Sequence, residues 1–219
     1  FFINFMARTA DPNLRDNILA AARAVFAAKG YADARLSDIA EKAGIATASI
    51  YAHFEGKEDI AIGLGEQLIT RIYAAALPEL ANLNVSAAIA GAVHAAFEAS
   101  RRDRDLLQLV HLQAGLLARA KLRPLAVRTR LHSQLQDLLE ARMKAGLIRR
   151  YDPAILARLI SGFVEYTAEA CLVWGDGDVA PFEKTLIDLL RNALLPAPRR
   201  PGQRLVATLR ARHTHPSKP

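Results

Sequence analysis

Between Thr47 and Lys57 the chain sets out two hydroxyls (Thr47, Ser49), a phenol (Tyr51), an imidazole (His53) and an ammonium (Lys57). Each can donate a hydrogen bond, and such donors serve phosphate oxygens and the edges of bases. They need a scaffold that aims them in one direction. Upstream, Leu36, Ile39, Ala40 and Ala43 recur at the spacing of one apolar helical face. Gly44 follows, where a left-handed residue can end that helix. A second short helix is expected from Thr47 to Phe54, with Ile50 and Phe54 in the core. Two short helices around a glycine turn make a helix-turn-helix unit, whose second helix enters the major groove with its N-terminal residues at base edges.

The stretch Gly44-Ile45-Ala46-Thr47-Ala48-Ser49-Ile50-Tyr51-Ala52-His53-Phe54-Glu55-Gly56-Lys57-Glu58-Asp59-Ile60 resembles the signature of TetR-like transcriptional regulators. Those typically read Gly-Val-Ser-x-Gly/Ala-Thr/Ser-Leu/Ile-Tyr-x-His-Phe-x-x-Lys-Glu-x-Leu. Ile50, Tyr51, His53, Phe54, Lys57 and Glu58 fall on pattern positions, as do Ile39, Ala40 and Gly44. The resemblance runs from Leu14 to Gly63. It implies that Thr47, Ala48 and Ser49 face bases, and that Tyr51, His53 and Lys57 meet phosphates. The sequence departs from the pattern at two places. Ala46 stands where the family has Ser or Thr, so either Thr47 caps the recognition helix or the cap is missing, at a cost of about 1 kcal/mol. Ala34-Arg35 replaces a hydroxyl pair, leaving Arg35 either to supply a charged phosphate contact or to sit in solvent.

With 219 residues, 52% hydrophobic and 23% charged, the chain has a globular composition for one or two domains. Alanine and leucine dominate, which favours an all-α fold. No run of about 18 apolar residues free of charge occurs, so a spanning helix is not expected. Phe1 to Phe5 precede Met6 and lack a basic n-region; residues 1–10 are read as a disordered extension, with Met6 as the natural start. Cys171 is the sole cysteine, compatible with a reducing cytoplasm. The net charge of +7 is unevenly spread. Residues 1–60 carry seven Lys/Arg against eight Asp/Glu, whereas residues 199–219 carry six Lys/Arg and no acid. Binding to DNA is therefore expected from the motif and not from the overall charge. The proline- and arginine-rich segment 196–219 is read as a disordered basic tail. It either adds affinity for phosphate whatever the base sequence or has no role.

Taken in order, Asp11-Pro12 opens a first helix that Gly30 ends, with Leu14, Ile18, Ala21, Ala22, Val25 and Phe26 inward. Residues 11–56 form the DNA-binding head. A linking helix then runs from Lys57 to Ala76 and is ended by Pro78. Ser86 caps a helix to Arg101. Further helices are expected over Leu106–Ala120, from Pro124 to Gly146, from Pro153 to Trp174, and around Phe182–Leu194. About nine helices result, three in the head and six in a ligand-binding and dimerisation domain over residues 57–195. In TetR-like proteins the last two helices pair with their mates in a four-helix bundle.

No nucleophile elbow, phosphate loop or dinucleotide fingerprint occurs, and the six histidines lack metal-ligand spacing. No enzymatic activity, metal or cofactor is expected. A pocket among the helices is the natural effector site. Its candidate lining is His94, Phe97, His111, Gln113, Leu116, Phe163, Tyr166 and Trp174, with Glu165 and Glu169 as further polar groups. The sparse charge there points to a small, largely apolar effector. The candidate dimer face comprises Leu159, Phe163, Phe182, Leu186, Leu189 and Leu190. The expected protein is a homodimeric regulator, a ligand-released repressor on a palindromic double-stranded operator. The alternative is a small-molecule binding protein with a degenerate head.

Overall fold

The computed structural model describes residues 13–112, 126–175 and 177–196. Among these residues the fold is all helical: α1 Leu14–Asp33, α2 Leu36–Ala43, α3 Thr47–Ile50, α4 Lys57–Glu79, α5 Val85–Arg102, α6 Arg104–Leu112, α7 Ala126–Lys144, α8 Pro153–Leu172 and α9 Ala180–Leu194. The expected Asp11-Pro12 cap, the far end of the Leu106–Ala120 helix, Pro124 and the basic tail lie outside the described residues.

The head assembles as its apolar spacing requires. α1 buries Ile18, Leu19, Ala21, Ala22, Val25 and Phe26 and is broken at Gly30, where φ is 75°. α2 buries Ile39 and Ala40 against it. Gly44 ends α2 at φ 68°, and its N–H reaches the Glu41 carbonyl at 3.1 Å. A side chain with a Cβ rarely adopts this backbone.

α4 is the strut of the molecule. It touches α1, α5, α6 and α7, and by length and composition it is apolar enough to cross a membrane. Its seat on the head is close: a Cβ on Gly63 would lie 3.1 Å from Leu19 Cδ2 and 3.2 Å from Phe54 Cε1. Pro78 is accommodated inside the last turn, and α4 stops at Glu79. The chain then turns back into α5. Asn84 is the cap of α5, its side chain accepting from the Ala87 N–H at 3.1 Å. The expected cap, Ser86, instead offers its carbonyl to Arg191 at 3.1 Å. That bond and the His94–Glu183 contact at 2.9 Å show α9 lying antiparallel along α5.

Asp152 caps α8 through the Ile155 N–H at 2.9 Å, with Pro153 at the first position. One continuous core runs from Ile18 and Ile50 through Leu64, Leu106 and Leu139 to Leu194, so it crosses the boundary expected at 56/57.

Candidate functional site

The sequence around α3 divides cleanly by burial. Ile50 and Phe54 are fully inside, which turns Ala48 and Tyr51 outward and leaves Thr47 and Ser49 half-exposed. Tyr51 is 60% exposed. α3 itself is one turn, continued by backbone bonds from His53 and Phe54 to the Ile50 carbonyl, both 2.9 Å. Ala46 is the N-cap and supplies no side-chain bond, and Thr47 does not replace it. Arg35 is exposed at the start of α2. Its backbone N–H is held by Asp38 at 3.0 Å, and Lys29 lies 3.0 Å from the same carboxylate. The Lys29 bond, followed by the Arg35 N–H, holds the Asp38 carboxyl below its usual value.

Lys57 departs from its expected role. Its ammonium donates to the carbonyls of Tyr31 (2.7 Å), Ala32 (3.0 Å) and Ala34 (2.9 Å) and lies 4.6 Å from the centre of the Tyr31 ring. An ammonium has three N–H donors, and all three are spent on backbone. Lys57 therefore pins the α1–α2 corner to the start of α4 instead of reaching for phosphate. His53 is half-buried.

The head is tied to the rest of the chain by a second device that the sequence did not suggest. Arg23 on α1 reaches Asp103 at 2.7 Å and Asp105 at 2.6 Å, and Arg71 on α4 reaches the other Asp103 oxygen at 3.2 Å. The Asp105 bond raises the Arg23 pKa against the effect of its burial. For Asp105 burial pushes upward, yet the bonds and charge of Arg23 win and its pKa is lowered. The run Arg101 to Asp105 reads as a solvated corner in the sequence. Only the approach of α1 makes it a junction.

Behind the head, α4, α5, α7, α8 and α9 enclose a cavity of about 110 Å³. It is lined by Ile69, Ile72, Tyr73, Ala76 and Leu77 from α4, by Ala88, Ile89, Ala92, Val93 and Ala96 from α5, and by Leu135, Leu139, Arg142, Ile160, Ser161, Val164, Glu165, Leu190 and Leu194 opposite. None of the six described candidates for the pocket lies there. His94 pairs with Glu183 at the surface. Phe97 is packed solid in the core. His111 sits 3.4 Å from Glu169 and edge-on to Trp174, whose ring also meets Tyr166. Phe163, Tyr166 and Trp174 face outward. Gln113 and Leu116 lie outside the described residues. Polar residues set in apolar stretches found partners at helix edges, whereas the void opens where alanines face each other on α4 and α5. Glu165, also a candidate, does line it.

The dimer-face candidates split in the same way. Leu159, Phe163 and Leu189 are exposed, whereas Leu186 and Leu190 are core residues of the single chain and Phe182 packs half-buried against that core. Ile155 and Tyr166 extend the exposed row along α8 at helical spacing.

Comparison with known proteins agrees with this architecture. Residues 18–64 match the model of bacterial regulatory proteins of the tetR family. The chain is 28% identical over 188 residues to the uncharacterized HTH-type transcriptional regulator YdgC of Bacillus subtilis (strain 168), covering 83% of this chain and 93% of that one. The fold matches the fatty acid degradation regulator FadR of Bacillus halodurans at a TM-score of 0.64, with 24% identity over 87% of this chain and 98% of that one. It also matches FadR of Bacillus subtilis, solved with stearoyl-CoA, at 0.62 with 22% identity over 80% and 96%. Residues 18–64 thus carry the signature of the tetR family of bacterial regulatory proteins, and the likeness to an HTH-type transcriptional regulator runs over most of the chain.

Proposed function

We propose that the protein is a homodimeric, sequence-specific repressor that leaves its operator when a small, largely apolar effector fills the cavity behind α4. The observation that carries this reading is the strut itself. α4 begins at the Lys57 pin under the head and forms one wall of the cavity from Ile69 to Leu77. A ligand that spreads α4 from α5 therefore tilts the head with it. The effector acts by favouring the conformation whose heads miss two major-groove half-sites about 34 Å apart.

In this reading Thr47, Ala48 and Ser49 meet bases, and Arg35, Tyr51 and His53 meet phosphate. The second copy covers the row Ile155, Leu159, Phe163 and Tyr166 with Leu189, whose exposure in one chain leaves apolar area to bury. An aliphatic effector is supported by the cavity lining, and the FadR likeness is in keeping with it.

Selection from a random duplex library tests the reading. Recovery of one palindromic site, lost by Tyr51→Ala and by a Leu159→Glu/Phe163→Glu variant that runs as a monomer in light scattering, is the expected result. Recovery of no motif by a folded dimer would establish the alternative, a small-molecule binding protein whose uncapped Ala46 marks a degenerate head.

A further inference from the structure

The cavity behind α4 is shaped by side chains that are too short to fill it. Ala76 comes from α4, and Ala88, Ala92 and Ala96 come from α5, with Ile72, Leu135 and Val164 closing round them. Four side chains on its border carry polar atoms: Tyr73, Ser161, Glu165 and Arg142. Each is committed to a partner within the protein. The Tyr73 hydroxyl donates to Ser161 Oγ at 2.5 Å, and Ser161 donates in turn to the Ala157 carbonyl at 2.8 Å. Both Glu165 oxygens accept from Arg128 Nη1, at 2.9 and 3.2 Å. The Arg142 guanidinium holds the turn after α4 through the carbonyls of Leu80 and Asn82. A polar group brought in here loses its water and finds no equal bond in return.

Size narrows the ligand further. The void measures about 110 Å³. An apolar cavity of roughly 150 Å³ lined by leucine, isoleucine and phenylalanine stays dry and takes up benzene. On that scale one small ring fills the present void, and a long chain does not fit.

We propose that this cavity takes a compact saturated hydrocarbon of about five or six carbons that carries no polar group. This rests on the cavity being the effector site. The aliphatic walls hold such a ligand by burial and dispersion alone. It fills the gap between the alanines of α4 and α5 with nothing to spare, so its arrival bears directly on the spacing of those two helices. That spacing is what the head senses through α4.

Calorimetric titration of the full chain with cyclopentane, cyclopentanol and cyclopentanecarboxylate tests the proposal. Cyclopentane is expected to bind. The alcohol should bind about ten- to a hundredfold more weakly, the range for a buried hydroxyl left without a partner, and the carboxylate not at all. Ala92→Leu fills the void from α5 and Ala76→Leu fills it from α4. Each should abolish cyclopentane binding, with a cooperative urea transition showing that the variant is folded. The wild-type ligand series stands without either variant. Alcohol or carboxylate binding as tightly as the hydrocarbon overturns the headless ligand while leaving the effector site in place. Cyclopentane binding that survives in both folded variants, or no binding of any of the three by the wild type, overturns the proposal. Cyclopentane that binds as expected yet leaves the selected duplex bound supports the ligand class and overturns the effector reading alone.

Discussion

Arg23 on α1 and Asp103 at the α5–α6 corner lie 2.7 Å apart, and through this pair the head is fastened to the domain that holds the cavity. Asp103 is 7% exposed and also receives Arg71 from α4, so three helices meet at one carboxylate. Asp103→Ala leaves two cations without their shared partner. It is expected to lower unfolding stability by about 1–3 kcal/mol, read from the urea midpoint. The exposed Arg101–Glu98 pair at 2.8 Å is the control, since removing a solvated pair on one helix leaves the midpoint where it is. Equal midpoints for the two variants would refute the clamp. If the clamp also transmits the effector signal, Asp103→Ala weakens duplex binding before any ligand is added.

Lys57 and Tyr51 separate stability from contact. Replacing Lys57 by Met removes three charge-assisted bonds to the α1–α2 corner, and a loss of about 2 kcal/mol is expected. Tyr51→Phe removes only an exposed hydroxyl, so the denaturation curve stays fixed while duplex affinity drops. The opposite pattern, a Lys57→Met protein of unchanged stability whose binding depends less steeply on salt, would return Lys57 to the phosphate backbone.

His132 gives the fold a pH dependence in a window of its own. Burial, then the charge of Arg128, lowers its pKa below the usual 6.5, and among the described residues its buried Nε2 has no hydrogen-bond partner. The unfolded chain takes up this proton as pH falls through 6.5 and the folded chain resists it, so stability is present above that pH and declines below it. Urea midpoints at pH 7.5 and 5.5 should differ for the wild type and converge for His132→Gln. The lowered carboxyls Asp38 and Asp105 act in the same direction only around and below their usual 3.8, outside this window. A wild-type midpoint that does not move between the two pH values would remove His132 from the account.

Local features were decided by the sequence because local chemistry decides them. The period of Leu36, Ile39 and Ala40, the glycine at 44, the caps at Asp152-Pro153 and the burial of Ile50 and Phe54 depend on neighbours within a few residues, so the helix-turn-helix unit and the order of the nine helices among the described residues could be read directly. Tertiary structure alone decided which surfaces of those helices meet. Lys57 carries the same charge whether it serves phosphate or three carbonyls, and only the return of α1 beside α4 chooses between them. Asp103 becomes a junction because Arg23 arrives from α1. The cavity opens where Ala76 faces Ala88, Ala92 and Ala96, residues that sequence reading passes over as helix formers. Helical periodicity marks an apolar face but not its neighbour, so Leu186 and Leu190 turned inward while Leu159 and Phe163 remained outside.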